Sequence, residues 1–312
     1  MLKSMADNVV SNVAPTDGAG TPRKMPCRIL GRTGVSVSML GFGIAPIGIS
    51  LTDAPIFEGI VHEAIDLGVT YLDVAPAYGD GEEKLGPVIR ERRDEVFLVT
   101  KTLLQEPRNR DEGLHQIQRS LRRLQTDHLD VVHLHNVGRF TREEVFGENG
   151  GLAALKQAKK DGLIRFIGIS GHVFPRNFVQ IIETGDIDVV MPVLNFVDRH
   201  TYDFESKVIP TAQKYGCGVV AMKVLGGVVG MKYHPPQAGL LSRTHYANAI
   251  RYALSLSAVS CAVMGLKNRH ELHQAVEAVT NFSPLTEVEQ AALTVEGKKI
   301  AQEWGAHFGP VE

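Results

Sequence analysis

Eight times in succession this chain sets a short, apolar, β-branched run ahead of a longer segment of helical period, and few folds can absorb that rhythm. The runs fall at 37–42, 70–74, 96–101, 129–135, 164–169, 187–191, 217–222 and 261–264. The helical segments fall at 56–67, 82–91, 112–124, 151–160, 175–184, 205–214, 246–256 and 269–279. In 112–124 the spacing is plain: Leu114, Ile117, Leu121 and Leu124 form one stripe with charge opposite. Strands that are apolar throughout are buried on both faces, as parallel strands covered by helices are. Eight such pairs in roughly 250 residues predict an α/β fold, a (β/α)8 TIM barrel.

Two additions frame the repeat. The runs 28–30 and 35–38, joined around Arg32–Gly34, read as a hairpin ahead of the first barrel strand. Residues 286–303 read as an extra C-terminal helix, because Thr286 followed by Glu289 forms a capping-box pattern. Glycines 147, 150 and 151 mark a long loop before the fourth helix, and no internal boundary divides the chain. The expected organisation is an N-terminal arm over 1–24, without periodicity, and a single barrel domain over 25–312.

Composition removes several classes of function. The chain has 312 residues, 44% of them hydrophobic, with 33 basic against 35 acidic side chains. That balance leaves no electrostatic footprint for nucleic acid or an anionic membrane. No apolar stretch approaches the ~20 residues that span a bilayer, and the first residues lack the basic start and apolar core of a secretory signal. The three cysteines, Cys27, Cys217 and Cys261, are widely spaced and read as reduced thiols. A cytoplasmic location is expected.

The chemistry concentrates at the ends of predicted strands. One apolar run ends at Asp73, a short loop carries Tyr78, a second run ends at Lys101 and a third at His135. In a parallel barrel these ends share one rim. A lysine beside a phenol favours the phenolate and lowers its pKa from about 10. An aspartate beside that lysine keeps it charged. Such a tyrosine can pass a proton to a developing alkoxide or take one from an alcohol.

LGRTGVSVSMLGFG (30–43), the segment around Asp73 and Tyr78, VTK ending at Lys101, and LHN at 134–136 together closely resemble the aldo-keto reductase family, from about Arg28 to about Ala278. The resemblance implies Tyr78 as general acid, Lys101 tuning it, Asp73 holding Lys101, and His135 orienting the carbonyl oxygen. It also implies a hydride from a nicotinamide cofactor, as no side chain donates one. Cofactor positions carried over are Gly43 and Ile44 in LGFGIAP; Ser170, matching the serine that bonds the carboxamide; and Gly171, where asparagine is usual. Met191 stands in place of a carboxamide-binding glutamine, and Met222 in place of the aromatic that stacks on the nicotinamide. MKVLGG (222–227) resembles a bacterial branch of the family. Lys223 and Leu225 belong to that stretch, and Gly226 and Gly227 would let backbone N–H groups approach the pyrophosphate.

Gly265, Lys267 and Asn268 match the adenosine-phosphate signature, with Asn268 able to cap the next helix. Glu271 falls where many relatives carry a basic or polar residue facing the 2′-phosphate. Lys267 and Arg269 together outnumber Glu271, so NADP is the expected cofactor, with NAD the alternative. The resemblance implies a small carbonyl or alcohol substrate, and loops 140–151 and 225–244, with Phe140, Phe146 and Tyr233, are where specificity is expected. A sugar or polyol dehydrogenase using NAD, and a nucleotide-binding regulatory protein, remain alternatives. His133, two residues before His135, shares its face of the strand. An HxH pair can bind metal, but the expected reading is a hydrogen-bonded core histidine and no metal. Oligomeric state is not legible.

Overall fold

The computed structural model describes residues 24–50, 52–102, 109–227 and 239–312. The expected arm, apart from Lys24, and Tyr233 lie outside the described residues. A hairpin of β1 (Cys27–Ile29) and β2 (Ser36–Ser38) comes first. Eight parallel strands follow: β3 (Leu40–Gly43), β4 (Tyr71–Asp73), β5 (Phe97–Thr102), β6 (Leu129–His135), β7 (Ile164–Gly171), β8 (Val189–Pro192), β9 (Gly218–Ala221) and β10 (Val259–Gly265). Strand β10 pairs with β3 and closes the barrel. The helices are α1 (Ala45–Ile49), α2 (Ala54–Asp66), α3 (Gly81–Arg92), α4 (Arg110–Arg123), α5 (Arg142–Phe146), α6 (Gly151–Lys160), α7 (Pro175–Ile182), α8 (Phe204–Lys214), α9 (Tyr246–Ser255), α10 (Arg269–Thr280) and α11 (Glu287–Trp304). This is the TIM-barrel architecture that the repeat predicts.

The hairpin plugs the barrel floor. Arg28 donates to the carbonyls of Leu254 and Val259 at 2.9 and 2.6 Å, and Arg32 reaches Asp188 at 3.0 Å. Gly31, with φ of 48°, lies so close to β9 that a Cβ would meet Gly218 backbone. Inside the barrel Tyr71, Phe97 and Phe166 stack, with ring centroids 5.6 and 6.2 Å apart. Gly41 and Gly168 have no side chain where Tyr71 and His133 need the space. Cys217 and Cys261 are buried free thiols and Cys27 an exposed one.

Two expectations are corrected. The first barrel run, 37–42, is two strands. Ser38 breaks it: its hydroxyl donates to the Leu40 carbonyl at 2.6 Å and accepts from Thr70 N–H at 2.9 Å, turning the chain from hairpin to barrel. The long loop before the fourth helix contains α5, started by a capping box of Thr141 and Glu144. The C-terminal helix and its Thr286–Glu289 box are present.

Candidate active site

Strands β4, β5 and β6 bring the expected tetrad to one wall of a cavity of about 1160 Å³ at their C-terminal ends. The Lys101 ammonium lies 2.7 Å from each Asp73 carboxylate oxygen and donates also to the Val74 carbonyl at 3.0 Å. Its side chain is 2% exposed and that of Asp73 5%. So deep a pair holds only because each lost water contact is replaced. Burial works to neutralise Lys101, but Asp73 and the hydrogen-bonded Tyr78 outweigh it and raise the ammonium's pKa, keeping it charged. The same ammonium lies 5.0 Å from the Tyr78 ring centroid.

Burial pushes the Tyr78 phenol up, Lys101 pulls it down, Asp73 adds to the rise, and the net direction is up. The expected pull of Lys101 is there, but desolvation exceeds it. The phenol therefore keeps its proton at neutral pH, the state a proton donor needs.

His135 and His133 share a face of β6 but not an environment. His135 Nδ1 is 2.9 Å from Ser170 Oγ, leaving Nε2 to the cavity. Burial first, then Lys101, hold its ring well below the ordinary value, so it is neutral. If Ser170 donates to Nδ1, the proton is on Nε2. His133 is buried against Gly168 and held down at about 3 by burial and Lys101. Among the described residues neither ring nitrogen has a hydrogen bond of ordinary geometry, and only the Ile169 backbone interacts with the ring, weakly. The expected core position is found, and the expected hydrogen bond is reduced to that weak backbone contact. Among the described residues no three His, Cys, Asp or Glu side chains gather as metal ligands.

Of the expected cofactor positions, Gly43, Met191, Met222, Lys223, Leu225, Gly226, Gly265, Lys267 and Glu271 line the cavity. Ile44, Ser170, Gly171 and Asn268 are not on its wall. The Ile44 side chain packs under α1 against Gly48 and Gly81, and its backbone donates to the Asp73 carbonyl and accepts from the Gly48 N–H, both within the fold. Ser170 is engaged by His135. Gly171 lacks a side chain because Asn136 fills that space: a Cβ there would lie 2.8 Å from Asn136 Oδ1. Asn136 Oδ1 in turn accepts from the His172 N–H at 3.2 Å.

At the other end of the cavity Asn268 caps α10, accepting from the Glu271 N–H at 2.9 Å. Glu271 Oε2 accepts from the Lys267 N–H at 2.8 Å. Arg269 turns away to Glu63 at 2.6 Å. Sequence reasoning missed the C-terminal tail: His307 and Phe308 form part of the cavity wall, with the tail pinned by Tyr202, whose oxygen accepts from the Phe308 N–H at 2.7 Å. The sequence carries no periodic signal for such a tail.

The model of the aldo/keto reductase family matches residues 39–239. The chain is 26% identical to L-galactose dehydrogenase of Arabidopsis thaliana, over 88% of this chain and 94% of that one. It is 25% identical to pyridoxal 4-dehydrogenase of Microbacterium luteolum, over 80% and 91%. An aldo-keto reductase structure from Bacillus halodurans, in its holo form, superposes with a TM-score of 0.72 at 25% identity, covering 89% of this chain and 97% of that one. No helix among the described residues is long and apolar enough to cross a membrane.

Proposed function

Since the chain belongs to the aldo/keto reductase family and is an oxidoreductase that uses a nicotinamide cofactor, we propose that Tyr78 is its general acid, acting on a small carbonyl substrate. The observation that carries this reading is the Lys101 ammonium, held 2.7 Å from both Asp73 oxygens while hydrogen-bonded to Tyr78. The residues fit a dinucleotide: the cavity runs from the tetrad past Met222 and Gly226 to the N-terminus of α10, where Lys267 has no acid partner among the described residues. Gly43 and Gly265 keep that wall bare, since a Cβ on either would press on Met264, Val263 or Pro46. Met191 and Met222 offer thioethers to a ring, Lys223, Leu225 and Gly226 edge the path, Ile44 lies behind it with its N–H bonded to the Asp73 carbonyl, and Asn268 caps the Glu271 N–H at the start of α10, a helix N-terminus that suits a phosphate. Ser170, besides any bond to the carboxamide, positions His135; Gly171 makes room for Asn136.

The bound nicotinamide supplies the hydride. His135 Nε2–H orients the carbonyl oxygen and stabilises its growing negative charge. As the C=O π bond opens and a C–H bond forms, Tyr78 gives its proton to the oxygen, and Lys101 stabilises the phenolate left behind. Solvent returns the proton. In the reverse direction the phenolate takes the alcohol proton, and the L-galactose dehydrogenase relative favours keeping sugar oxidation as the second reading.

The structure changes the ledger for NADP against NAD. Arg269 is committed to Glu63, so Lys267 faces Glu271 alone. We place the preference for NADP(H) over NAD(H), or the reverse, within about tenfold, one charge-assisted contact being offset by one like charge. The test of the whole reading is a dinucleotide and carbonyl panel on the parent and Tyr78→Phe. Loss of turnover with retained dinucleotide affinity is expected; parent-level turnover in the variant refutes it.

A further inference from the structure

The cavity holds more positive charge around His135 than the tetrad uses. Lys101 is matched by Asp73. Lys223 and Arg139 also line the cavity, and among the described residues neither has a carboxylate partner. Lys223 sits on left-handed backbone, φ 56°, which a non-glycine residue keeps only where its surroundings hold it.

A buried chain of hydrogen bonds does so. Asn195 Nδ2 donates to the Lys223 carbonyl at 2.9 Å and to Asp198 Oδ2 at 2.7 Å. Asn195 Oδ1 accepts from the Val197 and Asp198 N–H groups at 2.9 and 2.7 Å. Asp198 Oδ1 lies 2.8 Å from His307 Nε2 in the C-terminal tail.

Lys101 on β5, Asp73 on β4 and Asp198 face Lys223, and its own charge is felt by His135 on β6 and His172 after β7. Burial and Lys101 bring its ammonium down to about 8, so it is mostly charged at neutral pH, and among the described residues no carboxylate pairs with it. The N–H groups of Gly226 and Gly227, expected at the pyrophosphate, are instead bonded to the carbonyls of Lys223 and Gly239, which leaves the dinucleotide phosphates to Lys267 and the N-terminus of α10, after β10.

We propose that Lys223 binds an anionic group of the substrate, a carboxylate or phosphate a few bonds from the reacting carbonyl. The enzyme then selects oxo acids or phosphorylated aldehydes over neutral ones. The selection rests on the carbonyl-reductase reading above.

The experiment compares kcat/KM for succinic semialdehyde against butanal, and for glyceraldehyde 3-phosphate against glyceraldehyde, in the parent and Lys223→Met. At least one anion-to-neutral ratio should favour the anion roughly tenfold to hundredfold in the parent and collapse in the variant. Which ratio does so tells carboxylate from phosphate. Lys223→Asn, whose side chain suits left-handed backbone, serves if the first variant does not fold. Dinucleotide affinity is read from Trp304, the sole tryptophan, which packs at Gly226. No anion preference in the parent, or an unchanged ratio in the variant, overturns the proposal. A weaker dinucleotide affinity with an unchanged ratio assigns Lys223 to the cofactor instead. If the parent reduces no aldehyde, the reductase reading fails separately. Thermal shift with succinate and with inorganic phosphate still decides: stabilisation by either, lost in Lys223→Met, upholds the anion site, and equal shifts or none overturn it.

Discussion

Asp73 and Lys101 meet at 2.7 Å with their side chains almost wholly out of water, whereas Arg269 and Glu63, beside the start of α10, meet at 2.6 Å with the guanidinium 53% exposed. The distances match and the energetics do not. Removing one partner of the buried pair strands a charge in the barrel, at about 3–5 kcal/mol. Removing one partner of the exposed pair returns the other to water, at about 0–1 kcal/mol. The tetrad end is therefore rigid before any ligand arrives, while the α10 end is adjustable by single surface substitutions. On the proposed reading, chemistry sits in the first and cofactor choice in the second.

The largest effect expected from that contrast is on turnover. Tyr78→Phe keeps the packing and removes the proton donor, so reduction of a good aldehyde should fall ~10²–10⁴-fold. Dinucleotide affinity, set at the other end of the cavity, should stay within about threefold. A parallel loss of affinity would show that the two ends are not separable.

Next is stability. Asp73→Ala should lower the unfolding free energy by about 3–5 kcal/mol in urea melts, and Arg269→Ala, which leaves Glu63 its second partner His273 at 2.7 Å, by less than about 1 kcal/mol. Equal losses would erase the distinction drawn between the pairs.

The two histidines of β6 sharpen it further. His135→Ala should cost turnover, about 10²-fold for a lost oxyanion-type donor, with little loss of stability. His133 should act through folding. Its ring is held at about 3 in the folded state, while the unfolded ring takes a proton near 6.5. The unfolded chain thus binds the extra proton between those values. Stability present above about pH 6.5 is lost as the pH falls, by about 4 kcal/mol at pH 3 from this residue. The melting temperature of His133→Gln should fall less steeply from pH 6.5 to 4 than that of the parent. A parallel slope would clear His133 of the acid sensitivity.

The repeat that specifies the barrel is written in local spacing, so its strands and helices are legible in the sequence. The tetrad is legible for the same reason, each member lying at or just after a strand end. What escaped depends on distant partners. Ser38 divides a continuous apolar run through Thr70. Asn136 occupies the room that Gly171 vacates. His307 reaches Asp198 across 109 positions, and Arg269 is removed from the cofactor count by Glu63, 206 positions away. Charge type can be read from a sequence; whether a charge is already spent cannot. The capping box at Thr141 is an exception, a local signal that predicts α5 when Thr286 is not the sole place it is sought.

The smallest effect is at the α10 end, and it tests whether a spent charge matters there. Glu271 accepts from the Lys267 N–H, so its carboxylate occupies part of the helix N-terminus that would otherwise meet a 2′-phosphate. Glu271→Gln removes the negative charge and keeps an oxygen for that N–H. The ratio of kcat/KM for NADPH over NADH should rise by about threefold to tenfold, the scale of one exposed charge beside a phosphate. Lys267→Ala should move the ratio by a similar factor the other way, and Arg269→Ala should hardly move it, since that guanidinium is bound to Glu63. If Arg269→Ala lowers the ratio more than Lys267→Ala does, the Arg269–Glu63 pair opens on cofactor binding, and the α10 end is not the passive surface that its ion pairs describe.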